Sequence, residues 1–126
     1  MKRVLVDTNV VIWMLAGNRK RVSKAAATVL EDDRVQIFVS AVTVWEIATK
    51  RSLGKLKAPA DWARSLNVIG LEPLPITALH AEAVEHLPWH HRDPFDRFLV
   101  AQAGVEGMAL VSADSQMNAY DVDLIW

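Results

Sequence analysis

The chain has 126 residues, 52% of them hydrophobic, and Lys+Arg 14 against Asp+Glu 15 leave a formal net charge of -1. That content fills one core, so a single domain over residues 1–126 is expected, and no global positive field exists to draw in a polyanion; nucleic acid would have to be held by local patches or a metal. With no cysteine, disulfides and thiolate metal sites are excluded, in keeping with a reducing cytoplasm.

The opening "MKRVLVDTN" does not read as a signal peptide, because Asp7 interrupts the apolar run after Val6. The longest apolar run, "VVIWMLA", falls far short of the ~20 residues a membrane helix needs, so a soluble cytoplasmic protein with no membrane partner is expected. "RVLV" is a β-branched run suited to a buried strand, and "DTNVVIWMLAG" follows as a helix opened by Asp7 or Thr8 and closed by Gly17. A second helix runs from Ser23 to about Asp32. "VQIFVS" is a strand, after which Ser40 caps a helix ending at Gly54. A further helix starts near Pro59 and reaches about Leu66, "LEPLP" is a short extended piece, and "TALHAEAVEHL" is a helix stopped before Pro88. Asp93 as N-cap and Pro94 as first helical residue open a helix to about Glu106. "MALVS" and "DLIW" are the last strands. Strands alternating with helices predict a mainly parallel sheet covered on both faces, with ligands gathering beyond the carboxyl ends of its strands.

That rule selects Asp7, directly after the first strand, and Asp114, two residues beyond "MALVS". Each would serve equally as a cap for the element that follows. Thr8 and Asn9 place a hydroxyl and an amide near the same point, able to orient a carboxylate, hold water or complete the cap. Steps of about 100° along the helix from Pro94 put apolar residues almost all the way round, so this helix is buried. Asp93 is explained as its cap, with Arg97 in reach at i, i+4. Asp96 is not: it shares a side with Val100 and Ala103, and a helix N-terminus worth only ~1 kcal/mol does not offset a desolvated carboxylate. Asp96 therefore requires a cation, with Arg92, Arg97 or a divalent metal as candidates. Glu46 borders an apolar arc with Lys50 four residues on, which by itself favours an exposed ion pair. Carboxylates converging on one edge must be neutralised, and an all-oxygen donor set favours Mg²⁺ or Mn²⁺ over zinc or copper. Such a site suits metal-assisted phosphodiester hydrolysis.

Four stretches, "VDTNVVIW", "SAVTVWEIATKRSLGKL", "HRDPFDRFLVAQA" and "LVSADSQM", resemble in that order the sequence blocks of PIN-domain ribonucleases, and most closely the VapC-type toxins of prokaryotic toxin–antitoxin pairs. The resemblance covers essentially the whole chain. It implies a three-layer α/β/α sandwich, Mg²⁺- or Mn²⁺-dependent cleavage of structured RNA, and a homodimer. It also implies a cognate antitoxin that blocks the acidic groove and contacts operator DNA in place of the toxin. Carried over, the family's acidic quartet falls on Asp7, Glu46, Asp96 and Asp114, with Asp7 and Asp96 as direct metal ligands; Glu46 thereby gains a site role that its surroundings alone do not suggest. Asp93 is cap first and accessory second, Ser112 is placed to orient the site, and Arg92 or Arg97 would steady phosphate or the acids.

His86, His90 and His91 do not make a zinc site, since Pro88 breaks the helix between the first two; His90 and His91 are expected exposed at the groove rim. "NRKR" (residues 18–21), Lys24, Lys50, Arg51, Lys55 and Lys57 are candidate phosphate contacts, and Trp13 and Trp45 lie on apolar helix faces that predict core or dimer burial. Two rival readings are a PIN-like interaction module without catalysis and a small-molecule phosphohydrolase.

Overall fold

In the computed structural model, which covers residues 2–126, the β-branched run forms strand β1 (Lys2–Val6), whose Val4, Leu5 and Val6 are fully buried. A strand buried on both faces needs partners on both edges. β1 pairs in parallel with β2 (Val35–Ser40), from Lys2 opposite Val35 to Val6 opposite Val39, and with β4 (Ala109–Val111), from Val4 opposite Ala109 to Val6 opposite Val111. β3 (Glu72–Leu74) joins outside β2 and β5 (Leu124–Ile125) outside β4, all parallel, in the order β3-β2-β1-β4-β5. The chain thus lays strands outward on one side of β1 and then returns to its other side at β4. The reversal opens a crevice at the carboxyl ends of β1 and β4.

Six helices connect the strands: α1 (Thr8–Leu15), α2 (Lys24–Leu30), α3 (Ala41–Ser52), α4 (Trp62–Val68), α5 (Ala78–Ala83) and α6 (Pro94–Glu106). The caps read from the sequence are present, with side chains of Asp7, Ser40 and Asp93 accepting the N–H groups of Val10, Val42 and Phe95, and Ser23 likewise caps α2 by accepting the Ala26 N–H. α6 stops at Gly107, whose φ of 66° lies in the left-handed region that glycine adopts without a Cβ penalty.

The period of two along β1 splits the core into two layers. Val4 and Val6 pack with Val10, Val11, Ala26, Trp62 and Leu66 on one face; Leu5 packs with Leu99, Val100, Ala103 and Leu110 on the other. Helices α1, α2 and α4 cover the first face, and α6, with α5 against it, covers the second. This is the expected α/β/α sandwich around a parallel sheet. Helix α3 gives Ile47 to one cluster and Val42 to the other, so it straddles the sheet's carboxyl edge.

Two expectations change. α4 begins at Trp62 instead of near Pro59, because Pro59 belongs to the preceding turn and its carbonyl accepts the Trp62 N–H. Of the two burials expected for Trp45, core or dimer interface, the core is the one removed: Trp45 is 61% exposed, against Phe95 at 4.8 Å between centroids. Trp13 is half-buried beside Trp126. Among the described residues no helix is long and apolar enough to cross a membrane.

Leu5, fully buried in the central strand, is the most direct probe of the second layer. Leu5→Ala is expected to lower stability by about 3–4 kcal/mol in chemical denaturation, through lost transfer energy and the cavity left behind.

Candidate active site

The Asp7 N–H donates to the Val111 carbonyl at 3.0 Å, extending the β1–β4 ladder by one residue before the chain turns into α1. The Asp7 side chain therefore emerges at the crevice while capping α1, and it is only 4% exposed. Burial pushes its pKa up; the Ser112 hydroxyl and the Val10 N–H oppose this, and the carboxylates of Asp114 and Glu46 reinforce it. Asp114 reaches the same crevice from β4. Its Oδ1 accepts the Gln116 N–H at 3.0 Å, opening a 3₁₀ turn over Ser115–Ala119, and its own N–H donates to the fully buried Ser112 hydroxyl at 3.1 Å.

Glu46 hangs from α3 over this edge. The Lys50 partner read from the sequence is there, with Nζ 3.0 Å from Oε2, but the pair is not the exposed one expected, since Glu46 is 6% exposed. Its Oε1 is buried and has no hydrogen-bond partner. Asp96 arrives on the first turn of α6. Burial first, then Asp93, push its pKa up to about 7; His91 opposes this, while Asp7 and Glu46 add to it. Asp114 and Glu46 lie close enough to act on Asp7, Asp7 and Glu46 to act on Asp96, and one imidazole reaches both Asp96 and Asp114, so the four acids meet at one edge.

The group facing Asp96 is neither of the expected arginines. His91 Nε2 lies 3.3 Å from Asp96 Oδ2 and 3.0 Å from Asp114 Oδ2, so His91 bridges the two acids instead of sitting exposed at the rim. Its Nδ1 accepts the Asp93 N–H at 3.0 Å, and its own N–H donates to Tyr120 Oη at 2.9 Å. Sequence reading missed this role; the available signal was an acceptor side chain two residues before a capping aspartate. Arg97 points away, with its guanidinium donating to the carbonyls of Pro88, Val84 and Leu87 and to Tyr120 Oη, 3.7 Å under the Trp89 ring. Buried at 3% exposure, it pairs with neither Asp93 nor Asp96. Its place is behind the site, holding the segment that carries His91.

Among the remaining candidates, the Thr8 hydroxyl bonds that of Thr43 at 3.0 Å, tying α1 to α3, whereas Asn9 and Arg92 are exposed. Asp93 caps α6 through Oδ1, 2.8 Å from the Phe95 N–H. Residues 18–21 lie beyond the end of α1 opposite Asp7, where Arg19 approaches Glu31 and Arg21 covers Trp13, so they do not flank the acids. An apolar cleft lined by Trp13, Met14, Val22 and Ile69 occupies that far end and contains none of the four acids.

Could these residues hold a cation? Four carboxylates, one with an unpartnered buried oxygen and one with its pKa pushed up to about 7, form an oxygen-rich set short of positive charge, which fits a hard divalent ion. A family model for the PIN domain matches residues 4–123. The chain belongs to the PIN-domain family. No curated protein matches its sequence. Among solved structures, this PIN domain resembles VapBC2 from Rickettsia felis bound to a promoter DNA fragment, with TM-score 0.73 and 16% identity over 97% of this chain and 96% of that one. It is similarly close to DNA-bound VapBC from Salmonella typhimurium, with TM-score 0.73 and 16% identity over 98% and 97%. A toxin–antitoxin complex from Klebsiella pneumoniae follows with TM-score 0.68 and 19% identity over 98% and 96%. At these identities the likeness is one of fold, and it bears out the PIN-type architecture expected from the sequence blocks.

The raised Asp96 pKa has a consequence for stability. Relative to its ordinary value of 3.8, a folded-state value of about 7 means that the folded chain binds this proton more tightly than the unfolded chain. Asp96 therefore leaves stability untouched near pH 4 and diminishes it progressively up to pH 7. Asp96→Asn, neutral throughout and still able to accept from His91, is expected to match the parent near pH 4 in chelator and to exceed it by about 2–3 kcal/mol at pH 8. Denaturant titrations at the two pH values read the difference.

Proposed function

We propose that this PIN domain is a Mg²⁺- or Mn²⁺-dependent RNA endonuclease and the toxin of a toxin–antitoxin pair. The observation that carries the reading is the convergence of Asp7, Glu46, Asp96 and Asp114 at the β1–β4 crevice, with Glu46 Oε1 buried and unpartnered. Asp7 and Asp96 are the principal metal-holding residues, with Asp114 and Glu46 completing the set. When bound, a partly hydrated divalent ion supplies a more acidic water and stabilises charge on a phosphoryl group. The chain's own residues do the rest. Thr8 and Thr43 hold α1 and α3 in register, which fixes Asp7 against Glu46. Ser112 orients the backbone that presents Asp114 and lowers the cost of an ionised Asp7. Lys50, 3.0 Å from Glu46, offers a fixed positive charge to an incoming phosphate. Arg92, exposed and next to His91 in sequence, is a further phosphate contact, and Lys24, Arg51, Lys55 and Lys57 are the remaining basic candidates.

The solved structures similar to this chain include complexes of toxin with antitoxin, two of them on DNA. They support a cognate antitoxin that covers the acidic crevice and carries the contact with operator DNA, a division of labour suited to a chain of net charge -1. Exposed Trp45, next to Glu46 in sequence, and Trp89, two residues before His91, give such a partner or a second copy of this chain apolar surface near the site. A cytoplasmic homodimer is the form in which we expect it to act.

The test is incubation of antitoxin-free protein with total cellular RNA in Mg²⁺ or Mn²⁺, in chelator, and as Asp96→Asn with metal. Discrete fragments should require the metal, and Asp96→Asn should reduce their rate by about 100-fold or more while the protein stays folded. Turnover of simple phosphate esters with RNA left intact would reassign the site to small-molecule phosphohydrolysis. Inertness towards both substrates in a folded, metal-loaded sample would leave a non-catalytic interaction module.

A further inference from the structure

Two hydrogen bonds determine which nitrogen of His91 carries its proton. The Asp93 N–H donates to Nδ1 at 3.0 Å, so Nδ1 is an acceptor whose lone pair is in use. The proton of the neutral ring is therefore on Nε2, 3.0 Å from Asp114 Oδ2 and 3.3 Å from Asp96 Oδ2. An Nε2–H directs its hydrogen at the two carboxylates and has no lone pair to offer a cation. His91, Asp96 and Asp114 bring three potential donor atoms within 4.8 Å of one another, yet in this arrangement they form a hydrogen-bonded clasp and not a three-ligand metal site.

We propose that His91 is a built-in competitor of the metal: its imidazole N–H spans Asp96 and Asp114 and must swing out before a divalent cation can take those oxygens. The inference rests on the metal-dependent reading of the site and adds a regulation to it. Only the ring has to move. The His91 N–H is held by Tyr120 Oη at 2.9 Å, and Tyr120 is in turn held by buried Arg97, so the backbone stays in place while a side-chain rotation releases the Nδ1 and Nε2 bonds together. A ring with 15% exposure has solvent on one side into which to rotate. Metal binding then half-saturates at a higher cation concentration than the carboxylates alone would require.

His91→Asn separates this role from a structural one. The Asn Oδ1 can accept the Asp93 N–H as Nδ1 does, but its shorter amide cannot span the two acids. In calorimetric titration with Mn²⁺, His91→Asn is expected to reach half-saturation at roughly tenfold lower metal than the parent, the equivalent of one charge-assisted hydrogen bond removed from the competing state. It should melt below the parent in chelator and level with it at saturating Mn²⁺. A second measurement needs no variant: in ¹⁵N spectra of the imidazoles, His91 should show an exchange-protected Nε2–H in chelator that loses its protection at saturating Mg²⁺. Weaker Mn²⁺ binding by His91→Asn would make His91 a ligand and overturn the competition, as would equal binding or an Nε2–H that stays protected under Mg²⁺. If parent and variant alike bind no divalent ion, the metal-dependent reading falls, and the competition with it.

Discussion

Repulsion among carboxylates at one sheet edge is the constraint around which this molecule is arranged. Asp7, Glu46, Asp96 and Asp114 each stand where the backbone puts them; Asp114 and Glu46 raise the cost of ionising Asp7, and Asp7 and Glu46 that of ionising Asp96. Local groups compensate in part: Lys50 on Glu46, the His91 N–H on Asp96 and Asp114, the Ser112 hydroxyl near Asp7. What they leave over is visible as a proton retained on Asp96 to about pH 7 and a buried Glu46 oxygen without a partner. Such a cluster is a standing cost to stability. The two apolar layers on either side of β1 offset that cost.

Topology determines where the cost is borne. Because β2 and β4 flank β1 in parallel, the loops after β1 and β4 emerge side by side at the same end of the sheet, which puts Asp7 and Asp114 together although they are far apart in sequence. The other two acids need helices of a particular placement. α3 straddles the edge and lowers Glu46 onto it, and α6 begins at the edge, so a residue in its first turn faces the crevice with the helix N-terminus behind it.

Much of this was legible in the sequence, and the misses have physical reasons. Capping residues and hydrophobic period placed all five strands and most helix ends, and the rule that ligands gather at carboxyl ends of parallel strands singled out Asp7 and Asp114. Asp96 stood out because its helix is apolar on nearly every side. Glu46 did not, because its pairing with Lys50 looks the same in a linear pattern whether the carboxylate is wet or buried. Arg97 was misread for a related reason. Spacing along a helix reports only neighbours on that helix, whereas helical side chains lean towards the N-terminus, and this one reaches past the start of α6 to the segment before it. Trp45 lies on an apolar face, but that face stands at the sheet edge, where no strand continues to cover it. Only the bond between His91 and Asp93 is local in sequence; the other partners of His91, Tyr120 and Asp114, come from beyond α6 and need the fold.

The manner in which Arg97 is held carries an evolutionary consequence. Three of its four hydrogen-bond acceptors are main-chain carbonyls, those of Val84, Leu87 and Pro88. A carbonyl oxygen is present whatever side chain the residue bears. The connector between α5 and α6 can therefore drift in sequence, acquiring new surface chemistry beside the crevice, without loosening the anchor that holds it. One arginine keeps the scaffold constant while the stretch it grips remains open to selection for different neighbours.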